Sequence, residues 1–227
     1  MRMFSKKTLF IIPILCFAVL AFPQPSDALQ ITPAVREITL TPGQTTSVEL
    51  QIENDEQEAV NLNFDIVNFT AKPGTGEPQY LEDATPTGAA TWVDITDYTI
   101  VVEPGATESV VVNFDTPSGA EPGGHYVGVL FNVQQADAEA NEGQVNIESK
   151  IGVPMLITVR GDYVESGDIT AFTTADNKDM YTSGPIKFDL SYKNTGDVHL
   201  KPTGTVTIKN MFGSKAASLT VNDKAVA

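Results

Sequence analysis

Cysteine is nearly absent from this chain of 227 residues: Cys16 stands alone, inside an apolar stretch near the N-terminus. Disulfides, a thiol nucleophile and a cysteine-held metal are therefore excluded from everything downstream, and the cores must hold by packing. Basic residues are scarce too, 14 Lys and Arg against 29 Asp and Glu, for a net charge of −15. A chain so acidic is repelled by nucleic acid, by anionic lipid headgroups and by teichoic acids as direct ligands. Histidine is represented by His125 and His199 alone, and no Gly-x-Ser-x-Gly elbow occurs, so no Ser-His-Asp triad can be nominated. Helical periodicity is missing after residue 28, and no later apolar run approaches membrane-spanning length.

What is present begins with an address. Arg2, Lys6 and Lys7 precede an apolar run from Leu9 to Phe22, and a short polar stretch ends in Ser26-Asp27-Ala28. Small residues at 26 and 28 fit signal peptidase, which predicts a signal peptide over 1–28 and an exported mature chain. The run falls short of the roughly 20 residues a membrane span needs, and Pro13 interrupts it. Ile14 and Leu15 are too bulky for a lipobox at Cys16. Cleavage removes three basic residues and one acid, moving the net charge from −15 to −17.

The mature chain alternates. Val48, Leu50 and Ile52 point one way while Glu49, Gln51 and Glu53 point the other. The same period of two runs through Leu62, Phe64 and Ile66, through Val110, Val112 and Phe114, and through Val127, Val129 and Phe131. It predicts antiparallel strands with one buried face, an all-β sandwich of immunoglobulin-like type. Two echoes organise it. PGQTTSVEL at 42–50 matches PGATESVVV at 104–112, each a Pro-Gly turn feeding a strand. VELQIENDEQEAVNL at 48–62 matches FDLSYKNTGDVHLKP at 188–202, with Asn54 and Asn194 in the same place. The second echo predicts two immunoglobulin-like sandwich domains, 29–160 and 161–227. About 100 residues build such a domain, so the second is expected to be incomplete, with an apolar face half covered, unless a partner strand completes it. The stretch LKPTG at 200–204 is close to a sortase signal, but Lys201 separates Leu200 from Pro202 and the alternating TVTIKN follows; it is expected to belong to a strand. His199, flanked by Val198 and Leu200, is expected in the same strand.

Chemistry is thin. Acids cluster at 54–58, 82–83, 94–97, 137–142 and 176–179 without the spacing of a calcium loop, so no metal and no cofactor is expected. No carboxylate pair stands out for glycoside hydrolysis. KPGTGEP at 72–78 lacks the ending of a phosphate loop, and Asn68-Phe69-Thr70 is a formal glycosylation sequon. The segment 71–90 is the first candidate for binding, because loops this long are uncommon in compact domains and often functional. It carries Tyr80, with Trp92 just beyond; the turn from Glu121 to Tyr126 adds His125 and Tyr126 as the second candidate. The alternative for the first is a linker with Trp92 in the core.

The rhythm of ITLTPGQTTSVELQIENDEQEAVNL, VVEPGATESVVVNFDTP, PGGHYVGVLF and IGVPMLITV resembles the immunoglobulin-like peptidoglycan-binding domain of bacterial WxL-interacting proteins, and SYKNTGDVHLKPTGTVTIKN is similar to their second domain. The resemblance implies a non-catalytic scaffold at the cell envelope that touches peptidoglycan with its first domain and surface proteins with its second. Trp92 is followed by Val93-Asp94, so the chain has no Trp-x-Leu motif of its own. The family's C-terminal membrane helix is not in the chain, and truncation after Ala227 is the expected reason. The chain also resembles periplasmic pilus chaperones. That resemblance implies Arg36 and Lys150 as anchors for a subunit's terminal carboxylate, though VNIES at 145–149 supplies only Val145 and Ile147 of the alternation a donor strand needs.

Overall fold

The computed structural model describes residues 28–82, 84–135 and 149–221. The signal peptide with Cys16, the acids at 137–142, and Val145 and Ile147 of the expected donor strand lie outside the described residues. In chain order the strands are β1 (Leu29–Thr32), β2 (Arg36–Leu40), β3 (Thr45–Asn54), β4 (Val60–Ala71), β5 (Pro78–Tyr80), β6 (Val93–Ile95) and β7 (Thr99–Val102). They continue with β8 (Thr107–Asp115), β9 (Gly123–Gln135), β10 (Ser149–Val159), β11 (Gly167–Thr174), β12 (Phe188–Asn194), β13 (Gly204–Lys209) and β14 (Lys215–Val221). The helical content among the described residues is one 3-10 turn, Gly88–Trp92.

The protein is all-β, and its larger part is an immunoglobulin-like sandwich. One sheet runs β1-β3-β8-β6; the facing sheet runs β2-β10-β9-β4-β5, with β7 also on β4. Alternation in the sequence becomes alternation in burial. Along β3, Val48, Leu50 and Ile52 are buried while Glu49, Gln51 and Glu53 are exposed. Opposite them, Val127, Val129 and Phe131 of β9 and Val153, Met155 and Ile157 of β10 enter the same core. Phe64 and Phe131 meet edge to face at 5.1 Å in its middle. Burying each such side chain contributes about 1.5–3 kcal/mol, and no covalent staple assists.

The N-terminal strand switches sheets. β1 pairs antiparallel with β3 in the first sheet, and after residues 33–35 the chain re-enters as β2, parallel to β10 in the second. Every other strand pairing in the sandwich is antiparallel. The switch laces the two layers together through one run of backbone. It also decides what happens at the edge of the second sheet. β10 is paired with β9 along its whole length, from Ser149↔Val133 to Val159↔Gly123. β2 covers its other side only from Met155 to Val159.

Residues 161–221 form two separate two-stranded sheets, β11-β12 and β13-β14. The main core cluster stops at Val159. An open cavity of about 390 Å³ lies between the hairpins, with Phe172, Phe188, Val206 and Ile208 in its lining. Ile169 is 64% exposed and Phe172 48%, so the apolar faces here are poorly covered. Two local expectations need correction. β13 begins only at Gly204, and 201–203 are irregular; Pro202 has no N–H for a ladder. His199 lies in irregular chain after a bend at 196–198, not in a strand. The Asn-centred echo, by contrast, is reproduced atom for atom. Asn54 Oδ1 accepts from Glu56 N and its Nδ2 donates to Glu58 O, both at 2.9 Å. Asn194 Oδ1 accepts from Gly196 N at 3.0 Å and its Nδ2 donates to Val198 O at 2.8 Å.

Candidate functional site

A strand edge is a row of N–H and C=O groups seeking partners. Among the described residues, no strand pairs with 151–154 of β10 on the side away from β9. This stretch alternates. Ile151 and Val153 face the sandwich core, whereas Lys150, Gly152 and Pro154 take the outer face. The ladder with β2 starts at Met155, directly after Pro154, a residue with no N–H to give.

The outer face of this sheet is a second apolar surface. Val67, Phe69, Leu130 and Leu156 are buried yet do not belong to the main core. Two segments cover them. The first is the stretch around β5, which pairs with the end of β4 through Phe69↔Tyr80. The Tyr80 ring contacts Phe69 edge to face at 5.7 Å and lies across two strand glycines. A Cβ on Gly128 would run into its Cδ1 and Cε1, and a Cβ on Gly152 would sit 2.5 Å from its Cε2, Cζ and hydroxyl. The ring therefore points outward along the sheet, from β9 toward the open edge of β10. Its hydroxyl is buried with no hydrogen-bond partner, and burial pushes the phenol pKa up to about 12. Two residues on, Lys150 Nζ donates to Glu82 Oε2 at 2.5 Å and ties the strap to the same edge.

The second cover is the segment 197–201. Gly124 N donates to Asp197 O at 2.6 Å, and a Cβ on Gly124 would lie 3.1 Å from the Cα of Val198. Val198 is 4% exposed. His199 meets the Tyr126 ring at 6.2 Å, and Lys201 pairs with Glu37 at 2.6 Å. Burial lowers the His199 pKa, Glu37 opposes that and Lys201 adds to it; Nδ1 is buried without a partner. Burial also raises the Tyr126 phenol.

The four residues expected from sequence thus divide by sheet face. Tyr80 and Tyr126 lie on the outer face, bridged by Phe69, which is 5.6 Å from Tyr126. Trp92 packs against the core and meets the His125 ring at 4.9 Å, the two planes tilted by 57°. His125 Nε2–H donates to the Glu121 carbonyl at 2.8 Å. The segment 71–90 is not one loop: β5 and the 3-10 turn lie within it or overlap it. Gly128 and Gly152 were not singled out in the sequence, although a glycine inside a strand marks close approach of another group. Arg36 and Lys150 do not converge along the sheet. Arg36 is in register with Met155, about 17 Å along the strand from position 150. Among the described residues no group of three or more His, Cys, Asp or Glu is placed to hold a metal ion. No helix among them is long and apolar enough to cross a membrane.

No protein-family profile matches the chain, and no curated protein matches it either. Solved structures do. The class 5 fimbriae chaperone CfaA is similar at 12% identity, over 87% of this chain and 81% of that one, with a TM-score of 0.48. A chain of the chaperone–tip adhesin complex of CFA/I fimbriae follows at 14% identity, 88% and 81% coverage and a TM-score of 0.47. A chain of the CsuC–CsuE pre-assembly complex of Acinetobacter baumannii Csu pili gives 9%, 88% and 88%, and 0.44. None of these three is a WxL-interacting protein, and nothing in the comparisons supports peptidoglycan binding.

Proposed function

We propose that this chain is an exported, non-catalytic protein of the cell envelope that holds an extended segment of a partner protein by adding it as a strand to 151–154 of β10, in the manner of a pilus-type chaperone. The observation that carries this reading is the half-covered edge. Main-chain groups along 151–154 supply affinity to a strand of any sequence, and the alternating Ile151 and Val153 select apolar side chains on one face. On this reading 1–28 is the signal peptide, 29–160 the binding sandwich and 161–227 a second unit docked on its outer face through Val198 and His199.

Direct peptidoglycan contact through 71–90 has less support. A sugar-stacking aromatic needs a free face, and Tyr80 lays its ring on Gly128 and Gly152 while Trp92 packs on the core and His125. Nuclear magnetic resonance titration of the isotope-labelled mature protein separates the readings. Short alternating apolar peptides should move the amides of 151–153 and leave those of 85–92 in place. Sedimentation with insoluble peptidoglycan, with no shift on peptide addition, would overturn the strand-addition reading. Release of sugar fragments would overturn the non-catalytic one.

A further inference from the structure

We infer that the tip of the β13–β14 hairpin is a contact for an anionic phospholipid surface, with Met211 and Phe212 entering the headgroup layer and Lys209 and Lys215 facing its phosphates. The inference needs an exported chain at the cell envelope and is independent of strand addition at β10.

The turn holds two apolar side chains in water. Asn210 Oδ1 accepts from Phe212 N and Ser214 N, both at 3.0 Å, and Asn210 N donates to Ser214 O at 2.8 Å. Gly213 supplies the left-handed φ of +79° that closes the turn. Its own bonds thus fix the loop, yet Met211 is 82% exposed and Phe212 83%, the highest values for large apolar residues among those described. Two adjacent side chains of this size left in water carry a cost that a surface with an apolar layer removes.

Charge selects the kind of surface. Residues 29–160 hold 20 acids against four Lys and Arg, while 161–221 hold seven against six. Within the latter, 198–221 contains Lys201, Lys209 and Lys215 and no acid. The repulsion of anionic lipid by the chain is therefore the sandwich's, and it fades over a Debye length of about 8–10 Å. Asp55, Glu56 and Glu58 precede Val60, which pairs with Gln135 at the far end of β9. The second unit joins the other end through Gly124, about 40 Å away along the strand. Lys201 is paired with Glu37. Lys209 and Lys215 form no ion pair among the described residues and stand in register across the hairpin, directly below the tip. Like charges opposed across two strands repel, and an anionic surface relieves them. Their long stems let the ammonium groups stay with phosphates while Met211 and Phe212 go deeper. An acidic protein surface would match the lysines, but a convex apolar tip needs a pocket there in order to be buried. A bilayer interface needs none.

Flotation of the mature protein with phosphatidylcholine vesicles, plain or mixed equally with phosphatidylglycerol, tests this at low ionic strength. The mixed vesicles should carry the protein up and the neutral ones much less. Each lysine near such a surface strengthens binding about fivefold, so Lys209→Gln with Lys215→Gln should weaken it about 25-fold. Met211→Ser with Phe212→Ser should weaken it about tenfold or more. All four side chains are exposed, and a thermal melt checks that the variants keep the fold. Phe212→Trp should shift its emission to the blue when mixed vesicles are added. Absence of flotation with mixed vesicles, or flotation that both double variants leave unchanged, overturns the inference. So does a dimer of the free protein that Met211→Ser with Phe212→Ser dissolves, since that gives the tip to a second copy. None of these outcomes bears on the amides of 151–153, so the strand-addition reading stands or falls separately.

Discussion

The phenol of Tyr80 lies in the volume that a side chain on Gly152 would occupy, 2.5 Å from where its Cβ would be. A residue of β5 and a residue of β10 are thereby made mutually exclusive in size. Gly152→Ala should destabilise the protein by about 1–3 kcal/mol through overpacking. In a Tyr80→Ala background the same substitution should cost distinctly less. Urea unfolding of the two single variants and the double variant gives the coupling; equal costs in both backgrounds would show that ring and glycine do not compete.

Tyr80→Phe should raise stability by about 1 kcal/mol in the absence of any partner, because it deletes a buried hydroxyl with nothing to bond. Thermal unfolding at neutral pH reads this directly. A loss of similar size would mean that the hydroxyl has a partner in solution.

Asn54 and Asn194 make the same local bonds in different surroundings. Asn54 is fully buried and also donates to Val102 O at 2.9 Å, joining a turn to β7. Because Asn54 is fully buried and Asn194 half-buried, Asn54→Ala should cost about 2–4 kcal/mol and Asn194→Ala less. Denaturant titration of the two variants side by side checks the ranking.

The attachment of 161–221 to the sandwich should depend on burial and hardly at all on charge. Lys201 and Glu37 keep 48% and 40% of their side chains exposed, so Lys201→Ala should change stability by less than about 1 kcal/mol. Val198→Asp places a carboxylate where a 4% exposed methyl pair sits. It should cost about 2–4 kcal/mol and speed proteolysis within 161–221.

His199 makes that attachment acid-sensitive. Its pKa is lowered in the folded chain, first by burial, with Lys201 adding to this and Glu37 opposing; Tyr126 packs on its ring. The neutral form is favoured by folding, so the contribution is complete above the unfolded pKa of about 6.5. It shrinks as pH falls toward the lowered folded value, because the unfolded chain takes up the proton first. The stability difference between the unaltered protein and His199→Gln should therefore narrow between pH 7.5 and 5.5. A difference that stays constant over that interval would place His199 in solvent.

Much of the scaffold was legible in the residues themselves. Val48, Leu50 and Ile52, or Val127, Val129 and Phe131, announce a strand and its buried face because both follow from a local period of two. The Asn54 and Asn194 echo was readable for the same reason, since each asparagine bonds within four residues of itself. The candidate site was not readable in this way. Tyr80 meets Gly128 and Gly152 across 48 and 72 positions of sequence, and no local pattern encodes such a meeting. Nor does one say that β2 stops covering β10 at Met155. Pro202 in VHLKPTG misleads in the opposite direction: the alternation around it looks like a strand, while the missing N–H keeps 201–203 out of the ladder.

The change of layer between β1 and β2 has a further effect on assembly. By capping Met155 to Val159 it leaves a stretch of about 13 Å at 151–154, bounded at one end by the chain's own backbone. Growth of a sheet into a fibril requires a template that repeats along its full length. On the strand-addition reading, a guest seated at 151–154 meets β2 after a few residues, so the stretch on offer is too short to act as a full-length template.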